Sequence, residues 1–214
     1  MSKKNLSGET VLCECCPNSD LRVPELDYHI CKNRTGIVPL SLEILLVKRA
    51  RYKQLMKSAT TPPDQKAIFD ARQNSLKWIL VTSFGYLGYS NSKFGRIDAH
   101  IATCAFDRQV FMQAVRVAER LGYIVLHGIV DSLWVKKPGG GATEAADYMA
   151  LKDAIEKETG FAISFEGEYK WVAFVHSKDN KQVPVPNRYF GVFAGDGNKL
   201  KIRGIGQRRH DTPA

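Results

Sequence analysis

Apolar positions recur along this chain with two periods, and the change from one to the other divides it. From Leu40 to Ala59, Leu42, Leu45, Leu46, Tyr52 and Met56 follow at three- and four-residue steps, the spacing of one helix face. Gly36-Ile37-Val38-Pro39 breaks the chain ahead of that helix and puts Pro39 in its first turn. Thr60-Thr61-Pro62-Pro63-Asp64 makes the next turn, with Thr61 or Asp64 as N-cap. A second helix then runs to about Thr82, with Ala67, Ile68, Ala71, Leu76, Ile79 and Leu80 inward. Two helices of similar length on a five-residue link pack antiparallel. A third helix, Arg96 to Leu121, is apolar at Ile101, Cys104, Ala105, Phe111, Val115 and Ala118 and stops at Gly122. Here the pattern changes to β-type runs: Tyr123–Leu126 and Leu133–Val135 flank a glycine-containing turn and read as a β-hairpin buried against a core. Thr143 caps a helix ending at Gly160, and Phe161–Phe165 and Tyr169–Val175 look like strands. Arg188–Phe193 and Leu200–Ile202 form a last hairpin, turning at Gly195-Asp196-Gly197. The expected fold class is α+β: antiparallel strands with packed helices, plus a protruding antiparallel two-helix subdomain.

Composition adds only broad bounds. A hydrophobic fraction of 44% and a charged fraction of 25% are those of an ordinary globular protein. No apolar run approaches the ~20 residues that span a bilayer, and no secretory signal precedes the polar Asn5-Leu6-Ser7-Gly8-Glu9-Thr10. Five cysteines, an odd number, suit a reducing compartment better than a disulfide framework. The expected location is the cytoplasm, with no membrane partner.

Charge changes the picture more. Residues 1–34 and 91–186 each balance, with five and twelve charges of either sign, whereas residues 35–90 hold eight basic against three acidic and residues 187–214 hold six against two. The net +9 therefore sits in two blocks, which is the footprint of a polyanion site. In the first block Arg49, Lys53 and Lys57 stand at i, i+4 and i+8, where like charges repel unless an anion neutralises them or solvent screens them. Gly85 and Gly88 with Phe84, Tyr86 and Tyr89 allow close backbone approach and flat surfaces for a base or sugar. The tail Arg208-Arg209-His210 is basic and suits phosphate. Pro138-Gly139-Gly140-Gly141 lacks a phosphate loop's lysine and reads as linker.

Asp131, at the hairpin tip, either caps its own turn or presents a carboxylate to a metal ion. Cys13, Cys15, Cys16 and Cys31 number enough for four zinc ligands, but their spacing is not that of paired Cys-x-x-Cys knuckles and no closely spaced histidine completes a knuckle set. Buried thiols without a metal are the alternative.

Three blocks stand in a recognisable order. Arg49-x-x-x-Lys53, then Arg72-Gln73 with Lys77 and Gly85-Tyr86-Leu87-Gly88-Tyr89, then Gly128-x-x-Asp131-Ser132, resemble the fingers and palm of a family B DNA polymerase. Arg188-Tyr189-Phe190-Gly191, Arg203-Gly204 and Arg209-x-Asp211 resemble that family's primer-template segments, in the same order. The resemblance implies deoxynucleotide addition to a primer by two-metal phosphoryl transfer with Mg²⁺. It implies that Arg49, Lys53 and Lys77, with Tyr86, hold the nucleotide triphosphate and that Asp131 is a catalytic metal ligand. Arg188, Tyr189, Arg203, Arg208 and Arg209 would contact primer-template DNA. The implied division is 1–36 as palm-like strands and turns, 37–90 as fingers, 91–186 as palm and 187–214 as the primer-template segment.

The sequence also departs from that family. Ile129 replaces its first hairpin aspartate and His127 its tyrosine; Val81, Thr82 and Phe84 stand where the fingers carry asparagine, serine and tyrosine. Asn187 replaces a lysine and Gly206 a glutamate. The upstream palm motif, the exonuclease and the thumb have no counterpart. One carboxylate cannot organise two Mg²⁺ ions, each wanting about six oxygens. The expectation is a component that needs a partner chain for the second aspartate, exonuclease and thumb, with Glu166 or Glu168 as internal candidates. The alternative is a non-catalytic nucleic-acid-binding relative.

Overall fold

The computed structural model describes residues 15–16, 20–139, 145–195 and 199–206 of the 214. It comprises α1 (Ile37–Lys57), α2 (Pro63–Gly88), α3 (Ile97–Arg120), β1 (Ile124–Ile129), β2 (Ser132–Lys136), α4 (Ala145–Thr159), β3 (Tyr169–His176), β4 (Pro184–Phe193) and β5 (Leu200–Arg203). β1 and β2 form an antiparallel hairpin, and β3-β4-β5 form a three-stranded antiparallel sheet. The fold class is the α+β arrangement expected, with an antiparallel helical hairpin of α1 on α2. Two compact units, Met1–Gln109 and Val110–Ala214, meet in sequence inside α3.

In the first unit, α1 turns Val38, Leu42, Leu45, Arg49, Tyr52 and Met56 to its half-buried face, and α2 turns Phe69, Gln73, Leu76, Leu80, Ser83 and Leu87. Both sets alternate steps of three and four. The tie between the helices is aromatic: Tyr52 stacks on Phe69 at 5.9 Å, and the Arg72 guanidinium lies over the Tyr52 ring at 5.7 Å. This corrects the inward face expected for α2, since Ile68 and Ile79 are exposed, as is Leu46 on α1. The two helices bury only part of their surface against each other, and apolar residues remain outside on both. The N-cap of α2 is Pro62, with Pro63 at the first helical position and no side-chain cap; Asp64 stands in the first turn and favours the helix dipole instead.

α2 also runs past Thr82 to Gly88, so Gly85, Tyr86 and Gly88 belong to its last turns. Contacts from α3 hold that extension: the His100 ring stacks on Phe84 at 4.2 Å, and its Nδ1 lies 3.1 Å from the Phe84 carbonyl. A small core of Val23, Ala102 and Ala105, flanked by Leu26, Tyr28, Ile30 and Phe106, fixes the N-terminal segment on the first half of α3. The Tyr28 hydroxyl donates to the Asp98 carbonyl at 3.0 Å. Instead of strands, the described residues before α1 hold one bridge, Arg22 with His29.

The second unit is built on the end of α3. Gly122, at φ +80, lets its N–H bond the Glu119 carbonyl while the Tyr123 N–H bonds Ala118, a Schellman cap that turns the chain into β1. Val117, Ala118, Tyr123, Leu151 and Ile155 form the core, with Val125, Leu133 and Val135 of the hairpin against it. The Tyr123 hydroxyl donates to the Asp147 carbonyl at 2.9 Å, and Lys137 pairs with Asp147 at 2.8 Å, pinning the hairpin to α4. The expected strand at 161–165 is absent; β3 begins only at Tyr169. The Thr143 cap and the Asp196-Gly197 part of the last turn lie outside the described residues.

Candidate functional site

The β1–β2 hairpin closes tightly. Ile129 pairs with Ser132, leaving Val130 and Asp131 as a two-residue turn. Val130 takes φ +52, a left-handed conformation that costs a non-glycine residue about 1–3 kcal/mol. Register shifts between Val125 and His127, so Leu126 is an extra residue, a bulge. Beyond it, Gly128 and Leu133 share the face packed on α3, whereas His127, Ile129 and Trp134 share the other. A Cβ on Gly128 would sit 2.4 Å from Phe111 Cζ, so only glycine lets the hairpin lie this close to the ring. The other face meets the sheet: His127 contacts Trp134 at 5.2 Å and Phe174 at 4.8 Å, and Trp134 meets Tyr189 edge-on at 5.3 Å.

These contacts grip the hairpin from both faces and leave its tip outside. Asp131 is exposed at that tip. Its Oδ1 accepts a 3.3 Å hydrogen bond from the Ser132 hydroxyl. Ile129, in place of the family's first hairpin aspartate, is half-buried, and it shares its face with His127. The His127 Nε2 is enclosed without a hydrogen-bond partner among the described residues, and burial holds its pKa below the ordinary histidine value. At positions 127, 129 and 134 that face carries an imidazole, an isoleucine and an indole, and no carboxylate. Glu166, one of the candidates for the missing acid, is taken by Lys201 of β5, and Lys201 also lies over the Phe193 ring at 6.0 Å. Glu168 is half-buried. Among the described residues, the only group of three or more possible metal-binding side chains is Cys15, Cys16 and Cys31. Asp131 can therefore offer one ligand to Mg²⁺, but the described residues do not by themselves fit a two-metal centre.

On the helical hairpin, Lys53, Lys57 and Lys77 are exposed, and Tyr86 is 60% exposed. Arg49 departs from the expected line. Steps of four residues drift about 40° each around a helix of 3.6 residues per turn, so a cation at position 49 faces α2 while Lys57 reaches the rim. The Arg49 Nε is enclosed without a hydrogen-bond partner among the described residues. Gln73, the one buried residue of α2, donates to Asp70 at 2.9 Å.

Arg188 and Arg203 are exposed on β4 and β5, and Arg203 pairs in register with Tyr189. Tyr189 itself is 2% exposed. Its ring, expected to follow a primer backbone, instead fills the space between Trp134 and Phe174. Arg208 and Arg209 lie outside the described residues.

Three of the four expected zinc ligands are among the described residues. Cys13 lies outside the described residues, while the sulfurs of Cys15, Cys16 and Cys31 come within 4.8 Å of one another. His29, which is not among the expected ligands, is only 6% exposed and brings its Nε2 to 3.7 Å from Cys16 Sγ. The His29-x-Cys31 spacing is the one signal of it in the sequence.

Comparison with known proteins gives one consistent result. The model of DNA polymerase family B matches residues 2–137. DNA polymerase 2 of Saccharolobus solfataricus is 36% identical over 194 residues, covering 91% of this chain and 26% of that protein. The DNA polymerase of Archaeoglobus fulgidus is 27% identical over 207 residues, covering 97% and 24%. The solved family B DNA polymerase of Pyrobaculum calidifontis aligns with a TM-score of 0.66 at 29% identity, over 95% of this chain and 25% of its own. The chain thus spans about a quarter of the length of these relatives. None of its helices, among the described residues, is long and apolar enough to cross a membrane. With the family model covering well over half of it, this chain belongs to DNA polymerase family B.

Proposed function

We propose that this chain is the fingers and palm component of a DNA-directed DNA polymerase, active in nucleotidyl transfer to a primer 3′ end when assembled with further polypeptide. In this reading residues 37–90 are the fingers, 91–186 the palm and 187–214 the primer-template segment, with 1–36 joining the palm. Lys53, Lys77 and Arg49 hold the triphosphate of a deoxynucleotide, and Tyr86 lies against its base or sugar. Arg188, Arg203, Arg208 and Arg209 contact DNA phosphates, with the protein working on nucleoid DNA in the cytoplasm. Asp131 takes one ligand position of a Mg²⁺ centre. The second aspartate, an exonuclease and a thumb come from a partner polypeptide.

The observation carrying this reading is the presentation of Asp131: an exposed carboxylate on a two-residue turn, its stem gripped by Phe111 on one face and by Phe174 and Tyr189 on the other. A rigid stem holds a ligand at the precision that metal-assisted transfer needs. The test is affinity purification of the chain with its partners, followed by primer extension in Mg²⁺. The assembly should extend a primer, and Asp131→Asn should abolish extension while leaving primer-template affinity within twofold.

A second reading, a non-catalytic DNA-binding relative, draws on the apolar face of Ile129 and His127 where an acid would stand. An assembly that binds primer-template tightly and never incorporates a nucleotide would establish it instead.

A further inference from the structure

We propose that Cys15, Cys16, Cys31 and His29 form a tetrahedral zinc site that fastens the segment ahead of the fingers. Cys15 and Cys31 hold their sulfurs 3.4 Å apart, and Cys16 Sγ lies 3.7 Å from His29 Nε2, with the three sulfurs all within 4.8 Å of one another. Zinc binds thiolate at about 2.3 Å and imidazole nitrogen at about 2.0–2.1 Å. A tetrahedron with those radii has sulfur–sulfur edges of about 3.8 Å and sulfur–nitrogen edges of about 3.5 Å. The Cys15–Cys31 and Cys16–His29 separations are close to these edges; His29 is not within 4.8 Å of all three sulfurs, so its ring moves toward them when the ion binds. A disulfide between Cys15 and Cys31 would need its sulfurs at about 2.05 Å.

The donor set selects the metal. Three thiolates and one imidazole are soft to borderline ligands that suit zinc and do not suit Mg²⁺. Four protein ligands leave no open coordination position, so the ion is structural and takes no part in the transfer reaction. Binding converts three thiols to thiolates and releases up to three protons to solvent, while His29 binds through the neutral Nε2 lone pair.

The segment is also one that needs such a fastening. Its described residues have one bridge, Arg22 with His29, and a core contribution from Val23 against Ala102 and Ala105 of α3. His29 and Cys31 are 6% and 5% exposed and flank Ile30, which packs against that core. An ion joining residues 15–16 to residues 29–31 closes the loop at both ends, next to the contact between the loop and α3. This inference is independent of the polymerase reading: it concerns folding of the first unit and survives if no nucleotide is ever incorporated.

The full chain, purified under reducing conditions from zinc-supplemented medium, should carry one zinc per chain by plasma mass spectrometry. Replacement by cobalt(II) should give the intense visible bands of tetrahedral coordination together with thiolate charge-transfer absorption. His29→Ala and Cys31→Ser should each lower zinc occupancy at least tenfold, whereas Cys13→Ser should retain it. Should either variant fail to fold, wild-type protein decides the matter: zinc should shield Cys15, Cys16 and Cys31 from alkylation, and a chelator should expose all three. Metal-free reduced protein that is already folded and stays metal-free on zinc addition would overturn the proposal, as would a Cys15–Cys31 disulfide. Loss of zinc in Cys13→Ser with retention in His29→Ala would overturn the assignment of His29.

Discussion

Replacing Tyr189 by alanine separates two roles that lie side by side in the Arg188-Tyr189 motif. The tyrosine ring is 2% exposed, edge-on to Trp134 at 5.3 Å and beside Phe174 at 5.8 Å. Truncating a buried aromatic side chain to alanine costs about 3–5 kcal/mol, transfer energy and residual cavity together. The aromatic pairings, each about 0.5–1.5 kcal/mol, fall within that figure and are not added to it. With a urea slope of about 2 kcal/mol/M, the unfolding midpoint should drop by roughly 1.5–2.5 M. Trp134, against the ring, reports this by fluorescence. Tyr189→Phe keeps the ring and should stay within about 1.5 kcal/mol of wild type, the range of one hydrogen bond. Arg188 is exposed, so Arg188→Ala should leave stability within about 0.5 kcal/mol. It should instead weaken primer-template binding and flatten its salt dependence by about 0.9 in the slope of log K against log salt, the share of a single neutralised phosphate. A Tyr189→Ala protein that unfolds within about 1 kcal/mol of wild type, yet binds DNA tenfold more weakly, would refute this division of roles.

Three further outcomes follow from the hairpin. Burial depresses the His127 pKa, so the unfolded chain takes up a proton that the folded chain resists. Stability is therefore full above the unfolded value near 6.5 and declines below it, by at most about 1.4 kcal/mol per pH unit; His127→Phe should remove this component from thermal melts between about pH 7 and 5.5. Val130→Asn, which tolerates positive φ at an exposed turn position, should raise the melting temperature by the equivalent of about 0.5–1 kcal/mol; an unchanged or lower value would mean the turn carries no strain. Gly128→Ala should cost about 1–3 kcal/mol by overpacking against Phe111, and Gly128→Ala combined with Phe111→Leu should recover part of that loss in denaturant titrations.

How far the fold is legible in the sequence depends on how far apart the deciding contacts lie. Helix α3, its glycine stop and the β1–β2 hairpin are readable because periodicity and turn chemistry are local. The face of α2 is not: Ile68, Ile79 and Val81 compete with Phe69, Leu76 and Leu80 for the inward position, and only the docking of α1 chooses between them. The end of α2 escapes a local reading for a similar reason. Two glycines weaken a helix locally by about 1 kcal/mol each, but His100, on the next helix, stacks on Phe84 and carries α2 past them.

The sequence by itself determined the kinds of element, the two basic blocks and the ordered motifs that mark DNA polymerase family B, since all of these are written in residue type and spacing. Only the tertiary structure decided which motif residues face solvent. It exposed Asp131, enclosed Tyr189 between Trp134 and Phe174, turned Arg49 toward α2 and set His29 beside the cysteines. The physical reason is that exposure belongs to a packed surface: a motif fixes where a side chain leaves the backbone, and the neighbours that fold against it fix whether water reaches it.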